Sequence, residues 1–204
     1  HGKALSLVFL FLTALILLMT DGYLDKVHIH GTDWRLLVLS IALGGCTLFL
    51  ANDLPTIFVA FQMVSIPTYA LAGFTRSDPR SNEAGMKYLI LGALSSALML
   101  LGFSFLYGAT GESNLGAIQA ALFAPFGMAG DGGGFRGLAE IALILILASL
   151  FFKVAAAPFH GYLLDVYQGS SFAALSIIAV PAKVAYFGLL YRFIDTAFLD
   201  FDYI

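Results

Sequence analysis

Residues 138–160 read LAEIALILILASLFFKVAAAPFH. A helix needs about 20 mostly apolar residues to cross the hydrocarbon core of a bilayer, and the run 138–157 supplies that length. Two residues interrupt it. Lys153 puts an ammonium inside the apolar run, and Pro158 lacks the N–H and clashes with the preceding turn, so the helix is expected to break just after the lysine. Phe159-His160-Gly161 follows, then a short amphipathic piece over 161–168. Carbonyls freed at membrane depth are tolerated only where they are buried or line a wet cavity, and broken helices recur at the midplane sites of transporters.

The rest of the chain has the same character. Of 204 residues, 60% are hydrophobic and 11% charged, with a mean hydropathy of +0.90. A soluble domain carries about 25% charged residues, so this chain reads as an all-α integral membrane protein embedded in lipid. Its net charge of −3, without a dense Lys/Arg cluster, excludes a nucleic-acid partner. The single cysteine, Cys46, lies in an apolar stretch and forms neither a disulfide framework nor a metal site.

About six spans are expected, at 4–20, 34–51, 55–74, 84–107, 138–157 and 171–194, within one membrane domain covering 1–204. The chain opens on His1, not Met, so further residues are expected upstream, and the first run reads as a membrane helix rather than a signal peptide. Trp34 starts the second span where an interfacial aromatic belongs. Pro55 suits the first turn of the third span, and Ser81 reads as the cap of the fourth. The connection 108–137 is the longest, with a flexible Gly-rich tract at 130–134 and a short amphipathic helix at 114–123. These glycines follow no strand and make no phosphate-binding turn. Lys26, Arg35, Arg76, Arg80 and Lys87 flank the loops 21–33 and 75–83, so that side is expected to face the cytoplasm or matrix, together with 160–170.

Lysine at the centre of a membrane helix costs at least about 2.5–3.5 kcal/mol on insertion scales and usually marks an ion or proton path. Lys153 is near a helix end and could instead snorkel toward the interface. Lys183, in Pro181-Ala-Lys183-Val-Ala-Tyr186, lies roughly eleven residues from either end of its span, about 16 Å, and cannot easily do so. Desolvation disfavours an ammonium and a nearby carboxylate favours it, so a buried lysine with a movable partner is a proton switch. His160 reads equally as a proton carrier or as a loop histidine bonded to backbone. Pro181 is positioned to kink the last span.

Phe152-Lys153-Val-Ala-Ala-Ala-Pro158-Phe159-His160, followed by Asp165-Val-Tyr167-Gln168-Gly169, resembles the FKxxxxPFHxWxPDVYxGAP signature of the N-type antiporter-like subunit of respiratory complex I. In mitochondria this is NADH dehydrogenase subunit 2. Further agreement runs through Ala51-Asn-Asp-Leu54, Ser65-Ile-Pro67, Ala72-Gly-Phe74, Arg80-Ser-Asn-Glu83-Ala, Lys87-Tyr88 and Leu106-Tyr-Gly108-Ala-Thr-Gly111, so the resemblance covers about 34–194. It implies a fold of fourteen helices with two inverted five-helix repeats, of which this chain holds the third through eighth helices. It also implies a proton path through Lys153 and Lys183, with Glu83 matching a glutamate at the start of the sixth helix. The expected setting is the membrane arm of a proton-pumping NADH:ubiquinone oxidoreductase in the mitochondrial inner membrane, with the bacterial plasma membrane as the alternative. No cofactor is expected on this chain; NADH, FMN, Fe–S clusters and quinone belong to the whole complex.

The sequence departs from that pattern in three places. Counting back 21 positions from Glu83 reaches Gln62, where the family usually has the glutamate that pairs with the broken-helix lysine. Gln62 can hydrogen-bond but holds no charge, so proton transfer through this half is expected to be altered or lost. Tyr162-Leu-Leu164 and Ser170-Ser171 replace the Trp-x-Pro and Ala-Pro of the signature. The second repeat is absent, so a separate chain or a longer parent is expected to supply it, alongside membrane lipids and other membrane-arm subunits. Two other readings stay open: a subunit of a multi-subunit cation/proton antiporter or membrane-bound hydrogenase, and a structural subunit that has lost pumping.

Overall fold

The computed structural model describes residues 2–26, 31–123 and 133–194. Its helices are α1 (Gly2–Lys26), α2 (Gly31–Leu50), α3 (Leu54–Ala72), α4 (Pro79–Thr110), α5 (Leu115–Phe123), α6 (Gly133–Val154), α7 (Gly161–Gly169), α8 (Phe172–Ala179) and α9 (Pro181–Phe193). Among the described residues there is no strand, only an isolated bridge between Asp53 and Asn114. Among the described residues, six segments are long and apolar enough to cross a membrane: Gly2–Leu24, Gly31–Leu50, Leu54–Ala72, Pro79–Thr110, Gly137–Val154 and Phe172–Phe193.

Local chemistry sets the helix starts. Asp53 accepts hydrogen bonds from the Thr56 amide at 3.1 Å and the Thr56 hydroxyl at 2.6 Å, and Pro55 occupies the first turn of α3. The fourth span starts earlier than the expected 84. Asp78, in extended geometry, accepts from the Arg80 amide at 2.9 Å, and Pro79 follows it into the helix. Asp78 therefore caps α4, and not Ser81. The Ser81 hydroxyl is buried and donates to the Ala72 carbonyl at 3.0 Å, stapling the start of α4 to the end of α3. At its other end α4 stops at Gly111, which takes the left-handed φ of +69° that a residue with a Cβ rarely adopts.

Small residues bring the helices together. A Cβ on Gly102 would stand 2.7 Å from Ile146 and 2.9 Å from the Ala142 carbonyl, so α4 and α6 can pack this closely only through glycine. Two helix turns away, the Ser95 hydroxyl donates to the Ser149 carbonyl at 3.1 Å and lies 3.1 Å from the Ser149 hydroxyl, so the two serines satisfy each other inside an apolar contact. Gly133 and Gly134 already belong to α6; the remainder of the expected Gly-rich tract, 130–132, lies outside the described residues. Trp34 is fully buried, edge-on to Phe74 at 5.4 Å, and is therefore a packing residue and not an interfacial anchor. Leu7, Phe11, Leu18, Leu36, Leu43 and Ile90 stand exposed on the outer faces, as expected where the solvent is lipid.

The two ends of the bundle are tied differently. At one end the turns at 51–54 and 111–114 bond each other, from Leu54 N to Ser113 O at 2.9 Å and from Leu115 N to Asn52 O at 2.8 Å. Arg192 joins them, donating to the Leu48 carbonyl at 3.1 Å and the Asn52 side chain at 2.6 Å. The opposite end holds the start of α4 and the short helix α7, linked by Lys87, which bonds Asp165 at 2.8 Å.

A buried lysine at a broken membrane helix

The α6 helix does break after Lys153, but by its own chemistry and before Pro158 is reached. Ala155 turns to φ +62°, the Ala156 amide reaches back to the Phe151 carbonyl at 2.9 Å, and the Ala155 amide to Phe152 at 3.0 Å. That pair of bonds is a Schellman cap, with alanine where glycine is usual. The Tyr162 hydroxyl adds a 2.8 Å bond to the Phe152 carbonyl, so α7 satisfies backbone that the break exposes. Pro158 is exposed in the segment between the two helices and keeps it from resuming as helix. Lys153 thus sits in the last turn of α6, where the negative end of the helix dipole favours a cation.

Lys153 is only 2% exposed. Its Nζ donates to the Tyr69 hydroxyl and lies 5.0 Å from the Phe61 ring centroid, 4.8 Å from Tyr69 and 5.8 Å from Tyr186. Electron-rich ring faces attract a desolvated ammonium strongly. Tyr69 can stand where it does because Gly92 of α4 faces it; a Cβ there would collide with the phenol. Around this centre Ser65 shares a 2.9 Å hydrogen bond with Tyr186, and Ser96 donates to Gln62 Oε1 at 2.9 Å. Tyr69 meets Tyr88 edge-on at 4.8 Å, Tyr88 stacks on Tyr162 at 5.9 Å, and Tyr162 on Phe152 at 4.4 Å, so a column of rings runs from the lysine to α7.

The other residues singled out in the sequence lie elsewhere. The last span is two helices, α8 and α9, separated at Val180, because Pro181 cannot donate into the preceding turn. Lys183 is therefore in the first turn of α9, half-buried, 5.5 Å from the Tyr167 ring. The positive end of the α9 dipole disfavours its charge, and the ring face opposes that. His160 is exposed at the start of α7 and makes no capping bond. Glu83 is exposed and pairs with Lys87 at 2.8 Å, beside a cavity of about 330 Å³ lined by Arg80, Glu83, Lys87, Asp165 and Gln168. Lys87 joins Glu83 and Asp165 in the ion pairs found among the described residues; neither Lys153 nor Lys183 takes part in one there. Gln62 is half-buried and engaged by Ser96.

Sequence reasoning found Lys153 but missed the groups that hold it. Phe61, Ser65 and Tyr69 recur at steps of four along α3, with Gln62 three residues before Ser65, which places Ser65 and Tyr69 on one helix face with Phe61. That polar stripe within an apolar span is a signal the sequence carried.

The arrangement is that of a polytopic helical membrane protein built around interrupted helices with basic residues at the interruptions. The chain belongs to the NADH:quinone oxidoreductase/Mrp antiporter transmembrane family, which it matches over residues 51–203. It is 40% identical over 203 residues to NAD(P)H-quinone oxidoreductase subunit 2 of Crocosphaera subtropica, covering 97% of this chain and 38% of that protein. Among solved structures, a chain of respiratory complex I from Thermus thermophilus superposes with a TM-score of 0.73 at 38% identity, over 92% of this chain and 39% of that one. A chain of the Mrp complex from Dietzia sp. superposes with a TM-score of 0.75 at 25% identity, over 95% and 35% respectively. The sequence thus spans little more than a third of the length of each.

Proposed function

We propose that this chain forms part of an antiporter-like, proton-translocating subunit of a membrane-bound NAD(P)H-quinone oxidoreductase, and itself carries no redox chemistry. The observation that carries this reading is Lys153: a 2% exposed lysine, at the end of an interrupted membrane helix, held by neutral partners that can release it. Lys183, at the second interruption, is the next proton-handling group. Glu83 and His160, both exposed, serve proton entry or exit at the α4–α7 end. The partners are further membrane-arm subunits, the polypeptide that completes the fold, and lipid. The relatives reported above are bacterial, which supports an energy-converting bacterial membrane; nothing in them supports the mitochondrial inner membrane.

Native separation of gently solubilised membranes tests the assignment. Co-migration of this chain with NAD(P)H-quinone reductase activity, together with loss of proton translocation in Lys153→Ala at preserved quinone reduction, is the expected result. Migration away from that activity would instead support a cation/proton antiporter, a reading favoured by the likeness to the Mrp complex chain. Unchanged translocation in Lys153→Ala would support a structural subunit, a reading favoured by the amide at position 62.

A further inference from the structure

The lysine at the α6 break is buried without a carboxylate beside it among the described residues, and its charge meets neutral partners instead. The phenol oxygen of Tyr69 accepts its N–H, and three ring faces surround it. A buried ammonium needs such compensation, because desolvation otherwise expels it or strips its proton. Gln62, next to Phe61 on α3, carries an uncharged amide whose oxygen accepts from Ser96. Gly92 holds the space that lets the phenol approach.

We propose that Tyr69 is the positioning residue for Lys153, its phenol oxygen and ring, with Phe61 and Tyr186, taking the place of an acidic counter-ion. This rests on the translocation reading above. A neutral acceptor holds the ammonium without a second charge. The lysine can then give up its proton to the translocation path without leaving an anion uncompensated in the core. The amine left behind can accept the Tyr69 O–H in return, so lysine and phenol keep a hydrogen bond to each other in either state.

The test compares Lys153→Ala, Tyr69→Phe, Gln62→Glu and the Tyr69→Phe/Gln62→Glu double variant in the whole membrane complex, reading assembly, quinone reduction and proton translocation separately. Tyr69→Phe keeps the ring and removes the acceptor. It is expected to assemble normally and to lower translocation per turnover by about tenfold, the order of one lost hydrogen bond to a charged group. In the double variant a carboxylate answers the charge again, and translocation is expected to recover; a merely structural role for Tyr69 would show no such rescue. If Lys153→Ala abolishes translocation while Tyr69→Phe leaves it intact, the proposal for Tyr69 is overturned and the translocation reading stands. A Tyr69→Phe loss that Gln62→Glu does not restore also overturns it. If Lys153→Ala itself has no effect, the underlying reading fails first.

Discussion

Ala155 and Gly92 each decide the shape of the lysine site through a single Cβ. Ala155 sits at φ +62°, where a side chain is strained and glycine is not. Ala155→Gly is expected to raise stability by about 0.5–1 kcal/mol, visible as a higher melting temperature in detergent; a lower one would show that the cap geometry is not what limits the break. Gly92→Ala is the converse case. Its methyl would collide with the Tyr69 phenol, so a loss of about 1–3 kcal/mol is expected, with the lysine dislodged from its acceptor. Unchanged thermal stability and unchanged translocation would contradict that contact. At this scale the sequence was partly legible. A lysine in an apolar run stands out because its burial is costly wherever it falls. Tyr69 and Ser96 do not stand out, because their meaning comes from partners 84 and 34 residues away along the chain.

Helices were legible as apolar runs, and their ends were legible only where a proline or a capping carboxylate announced them. Pro55 is such an announcement; Asp78-Pro79 is another, but composition favours Ser81 as the cap of α4, and only the structure shows its hydroxyl engaged by Ala72. Pro158 announced that α6 breaks, but not that the cap falls at Ala155, since alanine is seldom chosen for a left-handed cap. Asp53 offers a test by pH. The Thr56 hydroxyl, and then its amide, hold the Asp53 carboxyl below its ordinary value. Its folded value being depressed, the stabilisation is complete above the unfolded carboxylate range near pH 4 and is lost as pH falls through the lowered folded value. Asp53→Ala should therefore cost about 1 kcal/mol at neutral pH and progressively less in acid; a cost independent of pH would refute the cap. Lys87 tests a second element. Its bonds to Glu83 and Asp165 are exposed, so Lys87→Gln is expected to leave the global melting temperature nearly unchanged. Amide exchange over 161–169 should nevertheless quicken, and equal exchange in both proteins would mean that ring stacking alone holds α7.

Across the whole molecule, composition alone established a membrane protein, and the pairing of span ends followed from alternation. What composition could not reveal was how unequally those ends are fastened. The backbone bonds between 51–54 and 111–114, with Arg192 clasping Leu48 and Asn52, form a closed buckle at one end. The other end is joined through the Ser81–Ala72 bond, a stack of rings, one tyrosine hydroxyl and Lys87. A bundle buckled at one end behaves as a set of cantilevers. Movement is therefore expected to be smallest at the buckle and to grow toward α7.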